Sequence, residues 1–158
     1  MVLLQLILAF IVLSLELGPL GRQGTNGGVI SLAVLGVWAF TWFVDQKTGL
    51  RWAALLGVAF DLIGFLPFGS WLITLIACCF VTDLLKSRFF EVSSIMLALA
   101  TLASVSVLAA VILSAFAGSF DLMSILFSVL ANVIAGVVTY YVLAFRFRFL
   151  QRWTGRRL

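Results

Sequence analysis

Long apolar runs, separated by short breaks that contain charged, glycine or proline residues, make up most of the chain. Six runs are long enough to form helices, and they cover residues 2–17, 29–44, 50–66, 71–85, 92–117 and 122–145. A helix needs roughly 20 apolar residues to cross the ~30 Å hydrocarbon core of a bilayer. The pattern therefore predicts an all-α integral membrane protein, a compact bundle of about six transmembrane helices without a soluble domain.

The composition is far more apolar than that of a water-soluble domain. Hydrophobic residues make up 64% of the 158 residues and charged residues only 10%, with a mean hydropathy of +1.25. Charged residues account for about a quarter of soluble domains, and a soluble fold could not cover this much apolar side chain. We therefore expect a single polytopic membrane domain over residues 1–158.

The first apolar run is interpreted as a retained helix. Residues 2–17 lack the basic stretch that opens a secretory signal peptide, and Glu16-Leu17-Gly18-Pro19 is not a small-x-small cleavage site. The third and fourth runs are separated only by Pro67-Phe68-Gly69-Ser70. Proline cannot continue a hydrogen-bonded helix and glycine permits a tight reversal, so we expect a helical hairpin with a very short turn.

The positions of the basic residues predict the topology, because Lys and Arg collect in short cytoplasmic loops. With a cytoplasmic N-terminus, nine of the ten basic residues fall on the cytoplasmic side and only Arg22 falls outside. The nine are Lys47, Arg51, Lys86, Arg88, Arg146, Arg148, Arg152, Arg156 and Arg157. We therefore expect both termini in the cytoplasm.

Five of those arginines lie in the C-terminal tail, where several alternate with aromatic residues, as in Arg146-Phe147-Arg148-Phe149. The net charge of +4 could suggest nucleic acid, but this placement favours a membrane surface with anionic headgroups. We expect no nucleic acid partner. A cytoplasmic protein is the alternative partner of the tail.

Asp61 is the most informative polar residue, because it lies well inside the third run, and an ionisable group at that depth is a functional-site hypothesis. Ala53, Gly57 and Asp61 are four residues apart, so they share one helix face, which we expect to point into the bundle. Three roles stay open: a cap or hydrogen bond to another helix, a partner or ligand contact, and a catalytic or proton-relay carboxylate. A catalytic pair with Asp83 is disfavoured, since Asp83 is near the end of its run.

Small or polar residues at four-residue spacing form stripes of the kind that usually pack helices together. The stripes are Ser70, Thr74, Cys78 and Thr82; Ser106, Ala110, Ser114 and Gly118; and Ser128, Asn132, Gly136 and Tyr140. Asn132 must find a hydrogen-bond partner, because hydrocarbon offers none. We expect it to join two helices, with a ligand contact as the alternative. Trp38, Trp42, Trp52 and Trp71 are interpreted as anchors at the membrane interface.

Several common catalytic elements are absent from the sequence. It contains no histidine, and therefore neither a histidine base nor a histidine-ligated metal. Adjacent Cys78 and Cys79 are interpreted as small packing residues rather than as a disulfide or a metal site. No phosphate-binding glycine loop or nucleophile elbow is found. We therefore expect a protein that is not an enzyme and has no cofactor.

One stretch carries a resemblance to a known family. Gly57-Val-Ala-Phe-Asp61-Leu62 is followed by a turn with Pro67 and Gly69, and a new apolar run begins near residue 72. This segment resembles the rod shape-determining protein MreD family, whose central segment reads Gly-x-x-x-Asp-Leu before a Pro-x-Gly turn with its glycine eight residues after the aspartate.

The resemblance implies a non-enzymatic scaffold subunit of the bacterial cell-elongation machinery in the inner membrane. Its partners would be a bitopic MreC-like protein, the cytoskeletal protein MreB and peptidoglycan synthases. Two other classes of function stay open. A substrate-binding membrane subunit of a vitamin or metal uptake transporter also packs about six short helices in a small chain. A small intramembrane enzyme such as a lipoprotein signal peptidase would show two aspartates in motifs that are absent here.

Overall fold

A computed structural model describes residues 11–12, 14, 31–63, 66–88, 95–118 and 120–154, and this part of the chain is helical without any strand. It contains five helices: α1 Leu32–Phe43, α2 Gln46–Ile63, α3 Ser70–Arg88, α4 Ile95–Ala117 and α5 Leu122–Thr154. Within these described ranges, three stretches are long and apolar enough to cross a membrane: Ser70–Arg88, Ile95–Ala117 and Leu122–Val142. These helices are consistent with a membrane protein.

Helix α1 occupies the centre of the bundle. It packs against all four other helices, and seven of its twelve residues are buried. Successive helices run in opposite directions. The Cys79 thiol of α3 lies 3.7 Å from the Gln46 carbonyl at the start of α2, and Asp61 near the end of α2 contacts Trp71 at the start of α3. The ends of α1 and α3 therefore lie at the same end of the bundle as the start of α2.

Polar side chains in the connections begin the helices. Ser31 precedes α1 and accepts a hydrogen bond from the backbone N–H of Val34. Asp45 precedes α2 and accepts from the Thr48 N–H at 2.9 Å, and its pKa is lowered by hydrogen bonds from Thr48. Asp121 precedes α5, and its pKa is lowered by hydrogen bonds from the Ser124 hydroxyl and the Met123 N–H. These oxygens bind N–H groups that have no partner within their own helix.

The helix bounds differ from the apolar runs for physical reasons. Helix α2 begins at Gln46 rather than residue 50, because Asp45 caps it and polar residues then continue the helix. Its last described helical residue is Ile63, residues 64–65 lie outside the described part, and Leu66, directly before Pro67, is not helical. Helix α5 continues past the predicted end at residue 145 to Thr154.

Four predicted spans fall partly outside the residues that can be described: most of the first, residues 29–30 of the second, residues 64–65 of the third and the start of the fifth. Of the first span, only residues 11, 12 and 14 are described. All three are helical, and Val12 packs against the core cluster formed by α1, α2, α3 and α4. The fifth span was predicted to begin at residue 92, and residues 92–94 lie outside the described part.

Two tryptophans belong to the core, so their interpretation as interfacial anchors is wrong. Trp38 is completely buried and its indole N–H donates to the Thr101 hydroxyl at 3.2 Å. Trp52 is 1% exposed and stacks on Phe40, with ring centroids 4.5 Å apart. Both rings pack between α1 and its neighbouring helices. Position in the sequence alone does not distinguish such a buried tryptophan from one at the membrane–water interface.

The predicted stripe on α3 is confirmed as a packing seam. Ser70, Thr74, Cys78 and Thr82 are all buried. The Thr74 and Thr82 hydroxyls each donate to the carbonyl four residues earlier, at 2.6 and 2.7 Å, so they satisfy their own polar groups within the helix. Cys78 and Cys79 are buried free thiols, as their interpretation as packing residues requires.

Candidate functional site

The residues that carry the MreD-like pattern lie together in the hairpin of α2 and α3. Gly57 marks the closest approach of the two helices. A Cβ atom placed on Gly57 would lie 2.6 Å from Leu72 Cα, a backbone atom that cannot move without its helix. Only glycine fits this position, and its absent side chain allows α2 and α3 to pack with their backbones in contact.

The turn between the helices depends on Gly69. Its φ angle is +95°, a conformation that side chains with a Cβ rarely adopt. The Ser70 N–H donates to the Pro67 carbonyl at 3.1 Å, and the Ile73 N–H donates to the Gly69 carbonyl at 2.9 Å. Pro67 and Gly69 thus reverse the chain and start α3, as the sequence predicted.

Asp61 connects α2 to the first turn of α3. One carboxylate oxygen accepts from the Trp71 N–H at 2.9 Å and from the Ser70 hydroxyl at 3.4 Å, and the other accepts from the Leu72 N–H at 3.1 Å. The side chain is 7% exposed. A carboxylate at a helix N-terminus satisfies N–H groups that lack a helical partner and interacts favourably with the helix dipole.

The geometry matches one of the three roles considered for Asp61, a cap on another helix. The prediction that Ala53, Gly57 and Asp61 share a buried face is confirmed. Asp61 lies at the hairpin end of α2, two residues before Ile63, the last residue of the helix that the structure describes. Its depth in the membrane stays a prediction.

Asp61 of α2 and Asp83 of α3 lie at different levels of the hairpin. Asp61 contacts residues 70–72, and Asp83 lies 11 residues further along α3 than Leu72. This separation corresponds to about 16 Å along the helix axis. The two carboxylates are therefore too far apart to share a proton as a catalytic pair.

Leu62 follows the capping aspartate but belongs to the outer surface. It is 70% exposed, and Phe68 at the tip of the hairpin is 71% exposed. These two apolar side chains face away from the bundle at the end where Asp61 caps α3. Leu62 therefore contributes to an outward surface for lipid or another protein, whereas Gly57, Asp61 and Gly69 hold the hairpin together.

Asn132 plays a similar role for α1. It is 2% exposed, and its side-chain oxygen accepts from the Ser31 backbone N–H at 2.9 Å. The expected interhelical contact is confirmed, and it joins the middle of α5 to the start of α1. Asp61 and Asn132, the two polar residues singled out inside apolar runs, thus both bind backbone N–H groups at the beginning of another helix.

The opposite end of the bundle is basic. The Lys86 ammonium donates to the Thr41 carbonyl in the last turn of α1 at 3.2 Å, where a positive charge interacts favourably with the helix dipole. Lys47 and Arg51 are exposed near the start of α2. Arg146, Arg148 and Arg152 lie in the last part of α5, while Arg156 and Arg157 fall outside the described residues. Anionic lipid binding by these arginines stays a prediction.

Sequence reasoning did not identify three polar residues that position helices. The Ser31 N–H donates to the Asn132 side-chain oxygen, and the Thr101 hydroxyl accepts from the Trp38 indole N–H. The Thr41 hydroxyl lies 3.4 Å from the Cys79 thiol. Serine just before an apolar helix is a recognisable capping signal. The two threonines carry no local signal, because their partners are more than 35 positions away in the chain.

The polar contacts of the hairpin join α2 to the first turn of α3. The Asp61 carboxylate already accepts hydrogen bonds on both of its oxygens.

Within the described ranges, no group of three or more His, Cys, Asp or Glu residues could hold a metal ion. Comparison of the chain with models of protein families, with curated proteins and with solved structures finds no match.

Proposed function

We propose that the protein is a non-enzymatic membrane scaffold of the bacterial cell-elongation machinery, as its resemblance to the MreD family implies. It would associate with an MreC-like bitopic protein and with proteins of peptidoglycan synthesis. The structural roles of the motif residues support this proposal. Gly57 permits the close contact of α2 with α3, Asp61 caps α3 and Gly69 forms the turn. The motif therefore specifies a hairpin of fixed geometry rather than a reactive centre.

The hairpin also presents an exposed apolar edge. Leu62 and Phe68 at its tip, together with Ile73 one turn into α3, are more than half exposed. A stiff pair of helices with an outward apolar edge suits the binding of a partner's transmembrane helix, because close helix packing in lipid requires surfaces of fixed shape. The exposed edge and the buried cap lie at the same end, so loss of the cap would disturb the edge.

The proposal includes six spans in the bacterial inner membrane, with both termini in the cytoplasm. Helix directions support this topology, because they bring Lys47, Arg51, Lys86 and the arginine-bearing end of α5 to the same end of the bundle. Reporter fusions at the two termini and in the loop around residue 120 test it. We expect cytoplasmic reporters to be active only at the termini, and activity at residue 120 would overturn the topology.

Depletion and complementation in the native bacterium test the function. We expect depletion to convert rod-shaped cells into rounded cells, and the wild-type chain to restore the rods. Asp61→Ala should fail to restore them, whereas Asp83→Ala and Gly36→Ala should succeed. A Cβ on Gly36 meets no described atom within 4 Å, which makes Gly36→Ala a matched control for glycine substitutions. Unchanged cell shape on depletion would contradict the proposal.

A further inference from the structure

One exposed face of α2 is positively charged in its first turns and apolar along the rest of the helix. Its residues follow one another at intervals of three or four positions, so they form one row: Lys47, Arg51, Leu55, Val58 and Leu62. All five side chains are exposed, while the other side of α2 packs against α1 and α3. We call this row the α2 stripe. It combines two cations with an apolar surface on a single helix.

The two cations of the stripe lie one helical turn apart and close to the Asp45 carboxylate. Asp45 accepts a hydrogen bond from the Thr48 N–H at 2.9 Å. Its pKa is lowered by the Thr48 hydrogen bonds and, to a smaller extent, by the positive charges of Arg51 and Lys47. Asp45 therefore offsets part of the charge of the two cations, and a net positive charge remains at the start of the stripe. A phosphodiester group, which is negatively charged at neutral pH, complements this net charge.

The apolar part of the stripe has the length of a lipid chain in one leaflet. Leu62 lies 11 residues after Arg51, which corresponds to about 16 Å along the helix axis. Half of the hydrocarbon core of a bilayer is about 15 Å thick. An acyl chain whose headgroup lies at Arg51 would therefore cover the exposed side chains of Leu55 and Val58.

The exposed face of α3 provides a comparison within the same bundle. A similar row of exposed residues runs along it: Ile73, Phe80, Leu84 and Arg88. This row carries one cation at its end, because the nearby Lys86 ammonium donates to the Thr41 carbonyl of α1. The α2 stripe thus differs from the α3 row in having two aligned cations, whereas both rows end at the basic end of the bundle.

We propose that Lys47 and Arg51 bind the phosphate of an anionic phospholipid whose acyl chain lies along Leu55 and Val58. The planar Arg51 guanidinium can donate two parallel hydrogen bonds to phosphate oxygens, and the Lys47 ammonium adds a second positive charge. This site is separate from the Asp61 cap and from the arginine-bearing end of α5. It rests on the membrane location that forms part of the proposed function, but not on the role in cell elongation.

Native mass spectrometry of the purified chain in detergent tests the site. Phosphatidylglycerol, or zwitterionic phosphatidylcholine with the same acyl chains, is added in increasing amounts, and the Kd of the first bound lipid is measured. The variants are Lys47→Gln, Arg51→Gln and the double substitution. Arg88→Gln is the matched control, because it removes one exposed charge from the α3 row at the same end of the bundle. Protection of buried Cys78 from a thiol-reactive dye verifies that each variant is folded.

We expect the wild type to bind phosphatidylglycerol about 20-fold more tightly than phosphatidylcholine. Lys47→Gln and Arg51→Gln should each weaken phosphatidylglycerol binding by about fivefold, and the double substitution should abolish the preference. Arg88→Gln should change the Kd by less than about twofold. Arg51→Lys keeps the positive charge and should retain most of the preference.

Two results would overturn the proposal. Equal affinity of the wild type for the two lipids would leave an acidic protein as the partner of these cations. Equal weakening by Arg88→Gln and Arg51→Gln would mean that the total charge of this end attracts the lipid, without a defined site. If Arg51→Gln exposes the Cys78 thiol, Lys47→Gln decides, and an unchanged Kd for phosphatidylglycerol would reject the site. Cell shape on depletion is measured separately, so a failure of the scaffold function leaves this result intact.

Discussion

The Asp61 cap provides the sharpest quantitative prediction. Asp61→Ala removes the acceptors of the Trp71 and Leu72 N–H groups in a site that water reaches poorly. Leaving a buried donor without a partner costs about 1–3 kcal/mol, and loss of the charge at the helix N-terminus costs a further 0.3–1 kcal/mol or so. Partial relaxation of the first turn reduces the sum, and we expect a loss of about 2–4 kcal/mol.

Asp61→Asn separates the two contributions. The amide keeps one acceptor oxygen for an N–H group and loses the negative charge, so it should retain part of the stabilisation. We expect a loss of about 1–2 kcal/mol, intermediate between wild type and Asp61→Ala. Asp83→Ala is the control, because Asp83 lies towards the other end of α3, remote from the capped turn.

Reactivity of the two native thiols measures this loss. Cys78 and Cys79 are buried in α3, so a thiol-reactive dye reports the opening of the helix that Asp61 caps. We expect the thermal midpoint of labelling in detergent to fall by about 5–15 °C for Asp61→Ala. Equal midpoints for Asp61→Ala and Asp83→Ala would refute the capping account.

Other parts of the structure give predictions of the same kind. Gly57→Ala should lower the labelling midpoint more than Gly36→Ala, because only its Cβ meets the backbone of α3; similar midpoints would contradict the close contact. Asn132→Ala should destabilise the protein by about 1–3 kcal/mol in the same assay, and no change would deny its contact with α1. The lowered pKa values of Asp45 and Asp121 should make stability fall as the pH drops below about 4, where these carboxylates become protonated. Asparagine at both positions should flatten the dependence of stability on pH between about pH 5 and 3, and an unchanged pH profile would contradict the role of the two caps.

The sequence predicted the features that depend on local chemistry. Apolar runs located the five described helices, and Pro67 with Gly69 located the turn, because proline and glycine act on the backbone of their own segment. The common face of Gly57 and Asp61 followed from helical periodicity alone. The buried stripe on α3 followed from the same rule.

Features that depend on three-dimensional register could not be predicted in the same way. The contacts of Asp61 with the first turn of α3 could not be read from α2 alone, because they depend on how the hairpin brings residues 70–72 next to it. Trp38 and Trp52 looked like interfacial anchors because burial depends on the surrounding helices, and α1 turned out to be the central one.

Recovery of partners from native membranes tests the central claim, that the hairpin is the structural basis of a cell-elongation scaffold. A tagged chain is isolated in gentle detergent, and bound proteins are quantified by mass spectrometry for the wild type, Asp61→Ala and Gly36→Ala. We predict that an MreC-like protein is recovered with the wild type and Gly36→Ala and is lost with Asp61→Ala. Recovery of transporter ATPase subunits and a membrane coupling protein instead would contradict the claim and identify a substrate-binding subunit of an uptake transporter.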